Sequence, residues 1–306
     1  MRRSRSPFLP HRRAARRTLL GGLLAACGAA GAQIAPPPQA ATGGKLLLTG
    51  GVSQVEGAAG GGLVPWAVVA GYGTRGQWGA NVHATGVRTR DFALDTAGVA
   101  VGLDDRIELS LARQRFDTRA AGAALGLGAG FAFHQTIVGA KVRLLGDAVL
   151  DSDRWMPQVA LGVQHKRNDE GAVVRAVGAR SASGTDVYLA ATKLLLDPGL
   201  LLNGTVRWTR ANQFGLLGFG GDRSDAYRPQ AEVSVAYLLS PRWALGAEAR
   251  TKPDNLGFAR EQAAWDAFLA WAPSRNLSFT LAYVSLGDIA TVRKQRGWYL
   301  SAQAGF

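Results

Sequence analysis

The chain has 306 residues, 35 basic against 22 acidic side chains, a formal charge of +13 and one cysteine. Seven of the basic residues are arginines within residues 1–17, where no acidic residue occurs, which leaves 28 basic against 22 acidic residues, or +6, on the rest. That small excess removes the main argument for nucleic-acid binding, and a lone Cys27 excludes an internal disulfide or a multi-cysteine metal site.

The arginines Arg2, Arg3, Arg5, Arg12, Arg13, Arg16 and Arg17 precede a small and apolar run over residues 18–32 that ends Ala30, Gly31, Ala32. A basic start, an apolar run too short to span a bilayer as a helix, and an A-x-A end predict a secretory signal over residues 1–32. Two other readings stay open: Leu24, Ala25, Ala26 and Cys27 resemble a lipoprotein box, so Cys27 is either lipidated or removed, and Arg16 and Arg17 resemble a twin-arginine signal. Residues 33–44, with Pro36, Pro37 and Pro38, read as a periplasmic linker.

From residue 45 onward, glycine-punctuated stretches of alternating polarity predict about fourteen strands. They cover residues 45–54, 65–73, 77–88, 92–103, 106–117, 135–145, 155–166, 186–196, 199–211, 228–240, 242–251, 263–273, 275–286 and 297–306. The first is the least secure, so twelve is the competing count. Ile107, Leu109 and Leu111 oppose Glu108, Ser110 and Ala112, a period of two that gives one greasy face. Most segments are long enough to cross a membrane when tilted.

Connection lengths alternate as well. Short links at 74–76, 104–105, 197–198, 241 and 274 fall on one side, and long ones at 118–134, 167–185, 212–227, 252–262 and 287–296 on the other. That asymmetry is expected of a membrane barrel with periplasmic turns and outer loops. The tryptophans are predicted to form two interface girdles: Trp78, Trp155, Trp243 and Trp271 at the periplasmic ends, and Trp66, Trp208, Trp265 and Trp298 at the outer ends. The final strand alternates Trp298, Leu300, Ala302, Ala304 and Phe306, and its terminal aromatic resembles the assembly signal of Gram-negative outer-membrane barrels.

Inward positions include His83, Glu108, Lys141, Arg143, Lys166, Arg207, Glu232, Glu248, Arg250 and Asp266, the candidate lumen-lining residues. Mixed charges there either plug the interior as an ion-pair lattice or line an aqueous path. Catalysis is not expected. His83, His134 and His165 are scattered, no G-x-S-x-G surrounds a serine that His134 could activate, such as Ser110, and no cofactor or metal motif occurs. Asp151 with Asp153, and Asp222 with Asp225, are acidic pairs expected to be solvated, with Ca²⁺ binding or a Ca²⁺ bridge to lipopolysaccharide phosphates as the alternative. The apolar glycine-rich segments 126–133, 215–221 and 256–258 are expected to pack together, fold into the barrel mouth, or touch a hydrophobic ligand.

Four stretches, GGKLLLTGGVSQVEGAAGGGLVPW (residues 43–66), ANQFGLLGFGGDR (211–223), KPDNLGFAR (252–260) and QRGWYLSAQAGF (295–306), resemble the proteobacterial family known as domain of unknown function 3034. The resemblance covers essentially all of the chain after the signal and implies an outer-membrane barrel without supplying an activity. The expectation is therefore a single-domain all-β protein, a transmembrane antiparallel up-and-down barrel over residues 45–306, in the outer membrane of a Gram-negative bacterium. Its expected role is a passive pore for small solutes, with a closed barrel of structural, lipid-binding or enzymatic role as the alternative. Expected partners are outer-membrane lipid, lipopolysaccharide and, through Phe306, the barrel-assembly machinery, with no nucleic acid and no cofactor.

Overall fold

Period-two alternation recurs along the whole C-terminal five-sixths of the chain, and such strands must hide one face and pair both edges. The computed structural model, which describes residues 44–149 and 155–306, meets both demands by closure. The expected signal, the linker up to residue 43, Cys27, Asp151 and Asp153 lie outside the described residues.

Two short strands come first, β1 (Val52–Ser53) and β2 (Ala59–Gly60). The wall follows: β3 (Trp78–Thr89), β4 (Ala93–Leu103), β5 (Ile107–Asp117), β6 (Ala132–Leu145), β7 (Gln158–Asn168), β8 (Ser183–Leu195), β9 (Leu200–Thr209), β10 (Arg228–Ser240), β11 (Trp243–Arg250), β12 (Ala264–Ser274), β13 (Leu277–Ile289) and β14 (Val292–Gly305). Each pairs antiparallel with the next, and β14 returns to β3 from Gly297 opposite Thr89 to Gly305 opposite Asn81. The result is a closed barrel of twelve strands.

Side chains sort by face. On β5, Ile107, Leu109 and Leu111 are 40 to 51% exposed, while Glu108, Ser110 and Ala112 between them are buried. The greasy face is the outer one, which is the inverse of a water-soluble protein and fits a wall built to sit in lipid. Seven tryptophans, Trp78, Trp155, Trp208, Trp243, Trp265, Trp271 and Trp298, are exposed on this surface. Trp243 stacks on Trp271 at 5.5 Å, and Tyr283 meets Trp298 edge-on at 5.5 Å. The C-terminal Phe306 packs edge-on against Trp78 at 5.2 Å, and its carbonyl accepts from the Tyr72 and Ala80 amides, tying the chain end to the first wall strand.

The expected count of fourteen gives way to twelve because residues 45–54 and 65–73 are not wall strands. Residues 44–73 instead run inside the barrel, where β1 and β2 pair only with each other. Trp66, expected in a girdle, belongs to this segment and is 4% exposed; its Nε1 donates to Ser234 Oγ at 2.9 Å. The apolar residues of the segment are real, but its amides bond within the segment or to wall side chains rather than to a wall strand's backbone. A twelve-stranded barrel lies between those that side chains fill and those that hold an open channel, so an inner segment has room.

The long-loop end is also covered. The short helices α1 (Ala121–Ala124) and α2 (Gly171–Ala176) sit in its loops. Phe92, Phe116, Phe133, Val174, Leu216, Leu217 and Leu256, from the links and the strand ends beside them, form one apolar cluster there. The glycine-rich segments thus pack on each other across the mouth.

Candidate functional site

The site is the barrel interior, built from alternate wall residues and the segment that crosses it. Residues 44–73 enter and leave at the short-turn end. Lys45 Nζ pairs with Asp105 at 2.7 Å, and the Lys45 amide donates to the Tyr72 carbonyl. Between these points the segment touches nearly the whole wall. The amides of Ala59 and Ala70 donate to Glu108 on β5, that of Ala67 to Thr192 on β8, and that of Leu63 to Glu248 on β11, at 2.6 to 3.1 Å. Its carbonyls accept from Thr96, Gln114, Lys141, Gln158 and Thr205. We call it the plug.

Glu56 is the plug's one acidic side chain, and it sits fully buried in a cluster of charges. It pairs with Lys166 Nζ, with Arg250 Nη1 at 2.8 Å and with Arg207 Nη2 at 3.7 Å. Glu232 joins Arg207 at 2.5 Å to Arg250 at 3.0 Å, and Asp186 joins Lys166 at 2.8 Å to Arg207 at 3.5 Å. Three cations from β7, β9 and β11 therefore meet three carboxylates, one of them supplied by the plug. Burial alone would raise the Glu56 carboxyl, but Arg250, Lys166 and Arg207 outweigh it and hold it well below the ordinary carboxylate range. Nearer the short-turn end, Lys141 pairs with Glu108 at 3.1 Å and donates to the carbonyls of Ala59 and Trp66.

Above the plug, the link between β9 and β10 folds into the mouth. Gln213 and Phe214 have φ of 45° and 62°, a left-handed conformation costly for side-chain-bearing residues that persists where surroundings fix it. Phe214 lies over Arg250 at 4.3 Å, and its carbonyl accepts from Gln135 and Lys166. Gln213 is held by the buried pair Lys252 and Glu261, themselves 3.0 Å apart. Burial raises the Glu261 carboxyl and Lys252 lowers it, with a net shift upward. An apolar cavity of about 40 Å³ remains between plug and cap, lined by Val55, Leu63, Phe116, Phe214, Leu216 and Leu217 among others.

All ten residues named as lumen-lining face the interior. Lys166, Arg207, Glu232 and Arg250 come together around Glu56, and Glu108 and Lys141 pair with each other. Glu248 and Asp266 are register neighbours on β11 and β12. Arg143 stands apart at the short-turn end with Asp105 and Asp147, and buried His83 has no hydrogen-bond partner on either ring nitrogen. His134 faces outward, bonded to Glu170 at 2.9 Å, whereas Ser110 faces inward, so the two do not meet. Asp222 accepts from the Gly257 amide and Asp225 pairs with Arg210.

Sequence reasoning missed Glu56 and Asp186. A lone carboxylate amid Gly57, Gly60, Gly61 and Gly62 was the available signal. At Gly61 a Cβ would come within 1.8 Å of Glu248 Oε1, so the plug backbone touches the wall where a strand would carry side chains.

Solved structures similar to this chain include one described as "KdgM porin", 11% identical over 74% of this chain and 99% of that one, with a TM-score of 0.48. Another is the outer membrane protein Omp33 of Acinetobacter baumannii, 9% identical over 75% and 98% with a TM-score of 0.45. A third is the COG4313 outer membrane channel from Pseudomonas putida F1, 13% identical over 79% and 97% with a TM-score of 0.43. No curated protein sequence matches the chain. The family model described as "Protein of unknown function (DUF3034)" matches residues 49–303, and the chain belongs to that family.

Proposed function

We propose that the protein is a non-enzymatic outer-membrane channel for small solutes whose lumen is held shut by its own plug. The observation that carries this reading is Glu56, which neutralises a cationic cluster on the wall from a segment that shares no sheet ladder with it. Side-chain contacts of that kind open without loss of a single wall hydrogen bond, so plug release costs less than barrel unfolding. In this reading the short turns and the plug's entry face the periplasm and the long loops face outward. Residues 1–32 serve as the export signal, β14 with Phe306 engages the barrel-assembly machinery, and lipid and lipopolysaccharide surround the wall.

The test is single-channel conductance in a planar bilayer of the refolded mature chain and of a variant lacking residues 45–72, each first shown to be folded by heat-modifiable migration. The intact chain is expected to give rare, small openings and the deletion long-lived ones. Silence from the folded deletion variant sinks the channel reading in favour of a closed barrel.

A further inference from the structure

Beside the balanced cluster lies a second pair of acids, with which no cation pairs among the described residues. Glu248 on β11 and Asp266 on β12 are directly opposite in the register, both point inward, and they are 3% and 1% exposed. Side chains so placed have Cβ atoms about 5 Å apart. Glu248 accepts from Ser234 Oγ at 2.7 Å, the Leu63 amide at 2.6 Å and the Val64 amide at 3.4 Å, three of the four acceptor sites of a carboxylate. Asp266 has no hydrogen-bond partner on either oxygen. Among the described residues neither acid forms an ion pair: Lys141 is taken by Glu108, and Arg250 by Glu56 and Glu232.

The plug roofs the pair with its two barest residues. A Cβ on Gly61 would lie 1.8 Å from Glu248 Oε1, and one on Gly62 would lie 3.3 Å from Asp266 Oδ2 and 3.4 Å from Tyr299 Cζ. Adjacent buried carboxylates without compensation are not a stable arrangement. The oxygens around them, carboxylate and the Ser234 hydroxyl, are those of hard cations.

We propose that Glu248 and Asp266, under Gly61 and Gly62, bind one hard divalent cation of the calcium class and so fasten the plug to the barrel wall. Two carboxylates are fewer charges than a tight calcium loop uses, so the expected dissociation constant is about 10⁻⁴ M, as in extracellular calcium modules. The site rests on the seating of the plug and stands whether or not the barrel conducts.

Terbium luminescence provides the test. Trp66, which donates to the Ser234 hydroxyl that in turn donates to Glu248, lies inside the barrel beside this site, and Trp265, next to Asp266 on β12, lies on the outer face within reach of it. In the refolded mature chain, free of lipopolysaccharide, saturable tryptophan-excited terbium emission that calcium displaces is expected. Asp266→Asn should weaken binding at least tenfold. Trp66→Phe should reduce the emission. Absence of calcium-displaceable emission, or emission unchanged in Asp266→Asn, overturns the proposal. So does an infrared band of a protonated carboxyl that persists in calcium and vanishes in Asp266→Asn, since a proton would then be the compensating charge. Should Asp266→Asn not fold, Glu248→Gln replaces it, and the wild-type titration alone still decides against the site if no displaceable emission is seen.

Discussion

Two carboxylate groups of the barrel interior, a few residues apart along the plug, are stabilised in opposite ways. Around Glu56 the plug brings an acid to a wall patch that has Lys166, Arg207 and Arg250 against Asp186 and Glu232, and the cluster closes at three charges of each sign. Around Glu248 the wall supplies the acids and the plug brings mainly backbone, the Leu63 and Val64 amides over Gly61 and Gly62, with the Trp66 ring bonded to Ser234 beside them. The first contact is specified by charge and the second by close approach. A single segment therefore seats itself once by a side chain and once by the lack of side chains.

Removing the plug's charge should do the most damage. Glu56→Gln leaves a buried cation excess, and breaking a buried pair by deleting one partner costs about 3–5 kcal/mol. A cysteine at the buried position Ser53 should then react with maleimide at least a hundredfold faster in the Glu56→Gln background than with Glu56 present. Unchanged labelling would mean that the cluster does not hold the plug.

Acid should reach the same contact by another route. The Glu56 carboxyl in the folded chain lies below its ordinary value of 4.5, so its contribution is fully present above pH 4.5 and is lost as pH falls through the lower folded value. Ser53→Cys labelling is expected to be flat between pH 7 and about 5, when corrected for thiolate fraction, and to rise only in stronger acid. In Glu56→Gln that acid-dependent rise should be missing.

The close-approach contact is expected to be less costly. Gly61→Ala places a methyl against Glu248, and overpacking of this kind costs about 1–3 kcal/mol. Bilayer recordings should show more frequent openings than wild type but fewer than Glu56→Gln. Outside the lumen, Trp298→Ala removes an exposed ring and its edge-on contact with Tyr283, worth about 1 kcal/mol. It should lower the urea midpoint slightly and leave Ser53→Cys labelling unchanged. A large effect on labelling would tie the outer surface to the plug.

The wall was legible in the sequence because a strand's two faces alternate, whoever its neighbour is. Ile107, Leu109 and Leu111 against Glu108, Ser110 and Ala112 show the pattern without any tertiary information, and seven of eight tryptophans fall on the greasy face for the same reason. The inward charged residues follow from the same alternation. What they pair with does not, because Arg207 meets Glu232 across a register of 25 residues and Glu56 across 151.

Residues 45–54 and 65–73 mark where local pattern ceases to decide. Burial in a wall and burial against a wall require the same apolar residues, such as Val52, Val68 and Val69, so composition cannot separate a strand from a plug. The difference lies in where the amides go: to another backbone in a ladder, or to Glu108, Thr192 and Glu248 far along the chain. A membrane-facing barrel, its strand faces and its asymmetric ends follow from short-range periodicity alone. That the first thirty described residues lie inside it follows from long-range closure, since the twelve wall strands leave no free edge for them to join.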